Sequence, residues 1–299
     1  MTKKLLLILF VAIILPGKFV ASLKQPVQNE VSIIFGGDLM FDRYIRQIAQ
    51  SKGYNYALED LRDVLTNADV VIANLEGPIT DNKSRSIYTE IGSRENYFFT
   101  FDPIITNTLK EFNINVVNIG NNHILNFGYN GLDQTVKNLE LAQIQYFGDV
   151  SSKVTRSLVL NIDGTKVGLI GYNEFIDTNN NTLEEISKIK SGSDIVVVFA
   201  HWGPEYVKTA GKPIVDLAHQ FVDSGADLVI GGHPHVVQQV EDYKGKRIYY
   251  SLGNFVMDQF FEPQVQEGML VKVEIVDSEI SGFEEISIFM DPKGKTTLQ

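Results

Sequence analysis

Four of the five histidines in this sequence follow short apolar runs, and two of those four stand one residue apart. In Asp227-Leu-Val-Ile-Gly-Gly-His-Pro-His235, Val229 and Ile230 read as the buried end of a strand, and Gly231 and Gly232 let the backbone pass close to its neighbours. Pro234 fixes one backbone torsion and removes a competing donor, so His233 and His235 can both point forward. Other polar groups hold matching positions. Asp38 follows the run Val31–Phe35 and two glycines, and Asn74 and Glu76 follow Val70–Ala73. Asn122 and His123 come just after Val116–Ile119, His201 ends the run Ile195–Ala200, and Asn254 comes after Ile248–Leu252. Each position alone has a bland reading: Asp38 as a helix N-cap, Glu76 as a solvated turn residue, the histidine pair as polar surface. Taken together they describe a metal site, because clustered imidazoles and carboxylates are what a divalent ion requires. Nitrogen and oxygen ligands without thiolate suit Mn, Zn, Fe or Co, one or two ions per chain, and the set is too rich in imidazole for Mg or Ca alone.

These residues are spread over some two hundred positions, so the fold must gather them. Val31–Phe35, Val70–Ala73, Val116–Ile119 and Ile195–Ala200 are β-branched apolar runs of strand length. In a sheet with parallel character their ends lie along one edge, where open α/β folds place their chemistry. Between them the spacing predicts helices over 44–50, over Leu58 to Asn67, from Asp102-Pro103 onward, over 130–142 and over 212–224. His219 lies off the apolar stripe of the last of these and reads as a surface histidine. Asp163-Gly164 predicts a hairpin turn, and the tail from Gly268 alternates like edge or outer strands. Asp81 to Phe99 has no period; its Lys83, Arg85 and Arg94 read either as an anion-binding set or as ordinary surface charge.

The chain has 299 residues, 44% of them hydrophobic, enough for a sizeable core. Lys3 and Lys4 precede an apolar run from Leu5 to Leu15, then Pro16-Gly17 and the small residues Ala21 and Ser22. This predicts that residues 1–22 form a secretory signal peptide or an uncleaved N-terminal anchor, ahead of a single domain over 30–290. The protein is then exported, to the cell surface or periplasm. With no cysteine its stability rests on core packing, and it cannot be anchored through a lipidated cysteine. Losing Lys3, Lys4 and Lys18 takes the formal charge from −11 to −14, which argues against a nucleic-acid partner.

The motifs Gly-Asp-x-Met, Asn-Leu-Glu-Gly-Pro, Gly-Asn-Asn-His, His-Trp-Gly-x-Glu-Tyr, Gly-Gly-His-Pro-His and Ser-Leu-Gly-Asn-Phe occur in this order between Val31 and Val276. The sequence thereby resembles the CapA/PgsA family of bacterial capsule and poly-γ-glutamate synthesis proteins, itself similar to calcineurin-like metallophosphoesterases. The resemblance implies a four-layer αββα sandwich with the site at the strand ends. It makes Asp38 the first metal-binding aspartate and Glu76 the carboxylate shared by two metals. Asn122, His201 and His233 then complete one metal sphere and His235 serves the other, with His123 as the general acid. Arg43, Asn74, Glu205 and Asn254 are expected to contact substrate. Where calcineurin-like enzymes carry a histidine two residues after the first aspartate, this chain has Met40, a poor ligand for a hard metal. The implied activity is metal-dependent hydrolysis or transfer on an anionic cell-surface polymer or its precursor. A non-catalytic partner of membrane-bound capsule synthesis subunits stays open, as does a phosphomonoesterase.

Overall fold

The computed structural model describes residues 30–148, 150, 156–176 and 181–299. The leader expected over residues 1–22 lies outside the described residues. In the first sheet β1 (Glu30–Leu39), β2 (Val70–Leu75), β3 (Ile114–Asn118) and β4 (Gln145–Phe147) run parallel. The second contains β5 (Ser157–Ile162), β6 (Thr165–Asn173), β7 (Ile195–His201), β8 (Leu228–Gly232), β9 (Val240–Tyr243) and β10 (Lys246–Tyr249), in the order β5-β6-β7-β8-β10-β9. β11 (Asn254–Val256) adds in parallel to the end of β1, and β12 (Glu267–Val276), β13 (Glu279–Asp291) and β14 (Lys295–Leu298) extend the first sheet with antiparallel pairing.

Period-two alternation divides the apolar side chains between layers. From β1, Val31, Ile33 and Phe35 join Ile195, Val197 and Phe199 of β7 in the core between the sheets. Ile34 points the other way, under α1 (Arg43–Lys52), α3 (Ile105–Glu111) and α4 (Gly128–Leu141), with the short α2 (Arg62–Thr66) between α1 and α3 in the same outer layer. Val196, Val198 and Ala200 of β7 face α5 (Thr182–Lys190) and α6 (Lys212–Asp223) on the opposite side. The result is the four-layer αββα sandwich, with β7 buried along its whole length. No helix among the described residues is long and apolar enough to cross a membrane.

Several local expectations are corrected. The helix expected from Leu58 is two 3₁₀ turns, Tyr54–Ala57 and Glu59–Leu61, before α2, although the apolar side chains Leu58, Leu61 and Leu65 are all buried as the spacing required. α3 starts at Ile105, because the Asp102 carboxylate accepts the Ile104 N–H at 3.0 Å and closes a turn first. β1 does not stop at Phe35 but runs through both glycines and Asp38 to Leu39. The tail is not wholly peripheral: β12 lies inside the sheet between β13 and β1. His219 is half-buried, stacked on Tyr243 with ring centroids 3.7 Å apart and hydrogen-bonded to Glu241 at 2.8 Å.

Two glycines set how tightly the strand ends approach. A Cβ on Gly37 would lie 1.9 Å from the Gly253 carbonyl oxygen, and one on Gly231 would lie 2.0 Å from that of Tyr250. Neither position has room for a side chain, so β1 can lie against β11, and β8 against the chain leaving β10.

Candidate metal centre

Register gathers the polar groups. Asp38 of β1 is paired with Asn74 of β2 on one side and with Asn254 of β11 on the other, and Asn74 is paired in turn with Asn118 of β3. Three neighbouring strands therefore end, and β11 begins, in a row of polar residues. Facing them from the second sheet, His201 is the last residue of β7 and His233 and His235 follow β8 directly. Both of these histidines adopt left-handed backbone, with φ of 93° and 57°, on either side of Pro234. That conformation is costly for residues with a side chain and marks a loop whose shape is fixed by its surroundings.

Asn74 is the centre of the network. Its Oδ1 accepts hydrogen bonds from the Asn118 and Asn121 amides, each at 3.1 Å, which fixes the orientation of its own amide. Its Nδ2 then donates to Asp38 Oδ1 at 2.8 Å and to Glu76 Oε2. Asp38 Oδ2 accepts the His233 backbone N–H at 3.2 Å and lies 3.3 Å from His235 Nδ1. Asn254 Oδ1 is 2.8 Å from the same His235 nitrogen. His201 Nε2 sits 2.9 Å from Asn122 Oδ1 and 3.4 Å from Glu76 Oε1.

His123 lies at the rim of this group, its Nε2 4.0 Å from Glu76 Oε1. Asn126 Oδ1 accepts the Phe99 backbone N–H at 2.8 Å and stands 3.2 Å from His123 Nδ1. A backbone donor thus identifies the Asn126 oxygen, so His123 Nδ1 is the donor and Nε2 faces Glu76. The His123 ring also rests on Phe99, centroids 4.3 Å apart.

Burial and charge polarise these groups in different directions. Burial works to raise the Asp38 carboxyl, but the hydrogen bond to His235 and the charges of His201 and His235 hold it well below the ordinary carboxylate range. Burial opposes protonation of His235, yet the Asp38 carboxylate outweighs it and pushes that imidazole up to about 9. His233 has no such partner: burial, then repulsion from His201 and His235, pushes it down to about 2. Burial likewise lowers His123 against the pull of Glu76.

The residues fit a cation. Glu76 Oε1 and His233 Nδ1 are buried and have no hydrogen-bond partner, a costly condition for ordinary polar groups and the normal one for metal ligands. Glu76, His233 and His235 bring ligand atoms within 4.8 Å of one another, as do Asp38, Glu76 and His201. Glu76 belongs to both groups, as expected of a shared carboxylate. The two groups interleave: Asp38 also lies 3.3 Å from His235, and the His201 and His233 ring centroids stand 4.8 Å apart.

Asn74 and Asn254, expected to touch substrate, are wholly buried with their side chains engaged inside the protein, and act by orienting Asp38, Glu76 and His235. Arg43 is not among the ligands; it pairs with Asp258 and lies over the Phe99 ring, 4.9 Å from its centroid. Glu205 is half-buried, its charge acting on Tyr206 and His235. Arg85 is occupied by Glu95 and stacked on Phe98, which leaves it no free charge for an anion. Met40 is fully buried in the core beneath α1, its sulfur 3.0 Å from the Asp42 backbone N–H. The sequence reading missed Asn118, Asn121 and Asn126. Asn118 closes β3 as Asn74 nearly closes β2, a signal that was available; the roles of the other two depend on loop geometry.

Known proteins resemble this chain in sequence and in fold. The family model described as bacterial capsule synthesis protein PGA_cap matches residues 32–259. The chain is 29% identical over 280 residues to the capsule biosynthesis protein CapA of Bacillus anthracis, covering 87% of this chain and 67% of that protein. It is 30% identical over 250 residues to the PGA biosynthesis protein CapA of Bacillus subtilis, covering 77% and 64%. The chain thus spans about two thirds of the length of these relatives. Among solved structures, a phosphatase from Mycoplasma pneumoniae superposes with a TM-score of 0.57 at 15% identity, covering 88% of this chain and 95% of that one, a likeness of fold.

Proposed function

The chain belongs to the bacterial capsule synthesis protein PGA_cap family, and from that premise we propose that it is an exported, metal-dependent hydrolase or transferase acting on a capsule polymer or its precursor. The observation that carries this reading is the Glu76 carboxylate, common to both candidate ligand groups, whose buried Oε1 has no hydrogen-bond partner and lies 4.0 Å from His123 Nε2. Asp38, Glu76, His201, His233 and His235 would hold one or two divalent transition metals such as Mn, Zn or Fe, with Asn122 beside His201. When bound, such an ion polarises a carbonyl or phosphoryl oxygen and acidifies a water molecule. Asn74 holds both carboxylates in one orientation through its Nδ2. His123, kept in place by Asn126 and Phe99, presents Nε2 toward the site. With Nδ1–H held by Asn126, it must take up a second proton at Nε2 before it can act as general acid toward the leaving oxygen and return to the neutral ring.

The relatives named for capsule and PGA biosynthesis support a cell-surface polymer as the substrate and a synthesis complex as the setting. Purified protein assayed on capsule polymer with Mn or Zn should lose about 10²–10⁴-fold in turnover on His123→Ala while retaining metal. Turnover unchanged in that variant defeats the assignment. Met40 favours a second reading, a polymer-binding partner without catalysis, since it withdraws one family-type ligand into the core. Metal retention without turnover by wild-type protein would select that reading.

A further inference from the structure

A cleft of about 570 Å³ opens beside the candidate metal centre, within the size range of small-ligand sites. A short chain of contacts joins the two. Asn254, whose Oδ1 meets His235, donates through Nδ2 to Gln259 Oε1 at 3.1 Å, and Gln259 Nε2 donates to the Tyr206 hydroxyl at 3.1 Å. The Tyr206 ring stands 6.0 Å from that of His235 and forms part of the cleft wall.

The lining is aromatic and unusually exposed. Tyr88 is 73% exposed, Phe261 57% and Tyr97 46%, in a protein whose other large apolar side chains are mostly buried. Tyr44 and Phe260 meet edge to face on the same wall. Exposed apolar surface concentrated in one cleft marks a binding site.

Charge narrows the occupant. Arg43 and Asp258 are the charged residues of the lining, and they are paired with each other. A polycarboxylate would find no uncommitted cation there. Among the described residues, the Gln47 side-chain amide and the hydroxyls of Tyr44 and Tyr97 make no hydrogen bond within the protein, so neutral donors and acceptors stand free beside aromatic faces. A ligand matching both features is uncharged, with an apolar face and a hydroxylated edge.

We propose that this cleft, beside the candidate metal centre, binds a chain of neutral sugar residues stacked on Tyr88, Phe261 and Tyr97. The assignment stands independently of the catalytic reading above. The test is isothermal titration calorimetry on the full chain with cellotetraose and chitotetraose, and separately with a γ-linked glutamate tetramer. The neutral oligosaccharides should bind, and a Tyr88→Ala, Phe261→Ala double variant should bind them about tenfold more weakly, or about 1.4 kcal/mol. Both side chains are exposed, so circular dichroism should be unchanged in that variant. Binding should persist in EDTA. Sugar binding by metal-loaded wild-type protein that shows no turnover of capsule polymer would overturn the catalytic reading and leave the cleft assignment standing. Failure of both oligosaccharides to bind, or preferential binding of the glutamate tetramer, overturns the sugar assignment whatever the metal centre does.

Discussion

The metal centre makes a quantitative prediction about stability. Glu76 Oε1 and His233 Nδ1 are buried without partners, and an unsatisfied buried polar group costs about 1–3 kcal/mol. An ion that takes both as ligands relieves the two penalties together, about 2–6 kcal/mol. For a large domain each kcal/mol moves the melting temperature by about 2 °C, so Mn or Zn added to chelator-treated protein should raise Tm by about 4–12 °C. The assay is differential scanning calorimetry of wild type and of His233→Ala, each in EDTA and in metal, at several metal concentrations, because a shift caused by binding must grow with the logarithm of free ligand. In His233→Ala one ligand is gone and the shift should fall by at least half. An absent shift in wild type with Mn, Zn and Fe(II), or an equal shift in both proteins, refutes the assignment of these atoms as ligands.

Gly37→Ala would place a Cβ 1.9 Å from the Gly253 carbonyl oxygen, so β11 must separate from β1; urea denaturation should show a loss of more than about 3 kcal/mol. Met40→His, which restores the residue type of calcineurin-like enzymes, should add no metal by elemental analysis and should destabilise by about 1–3 kcal/mol, because position 40 lies in the apolar core and not at the site. Asp227 accepts hydrogen bonds from Lys190, Lys246 and the Val196 N–H; burial works to raise its carboxyl, but these partners hold it below its ordinary value. A depressed folded value stabilises above the unfolded one and is lost as pH falls through the folded one. Asp227→Asn should therefore be less stable than wild type by about 1–2 kcal/mol at neutral pH. The gap should close below about pH 4, and a pH-independent gap in urea denaturation would contradict the pairing.

Local sequence was sufficient for the strands and for the types of residue at their ends. Apolar runs such as Ile195–Ala200 are buried on both faces, and a polar side chain directly beyond a run has few places to go except the sheet edge. Hydrophobic spacing also fixed which side of a helix is buried, even at Leu58, Leu61 and Leu65, where the backbone turned out to be largely 3₁₀. The helix starts and the tail were less legible, because a single side-chain acceptor such as Asp102 shifts a boundary and strand order leaves no local trace.

By itself, then, the sequence determined that Asp38, Glu76, Asn122, His123, His201, His233 and His235 lie at or just beyond strand ends, and the resemblance of its motifs implied the αββα layering. Tertiary structure decided how they meet. Pairing of Asp38 with both Asn74 and Asn254 depends on β11 returning beside β1 after more than two hundred residues. The clustering of three imidazoles around Asp38 and Glu76, the withdrawal of Met40 into the core, and the cleft between Arg43, Tyr88 and Phe261 all arise from contacts between distant segments. Such contacts are selected by packing of the whole chain, and no window of neighbouring residues contains the information that fixes them.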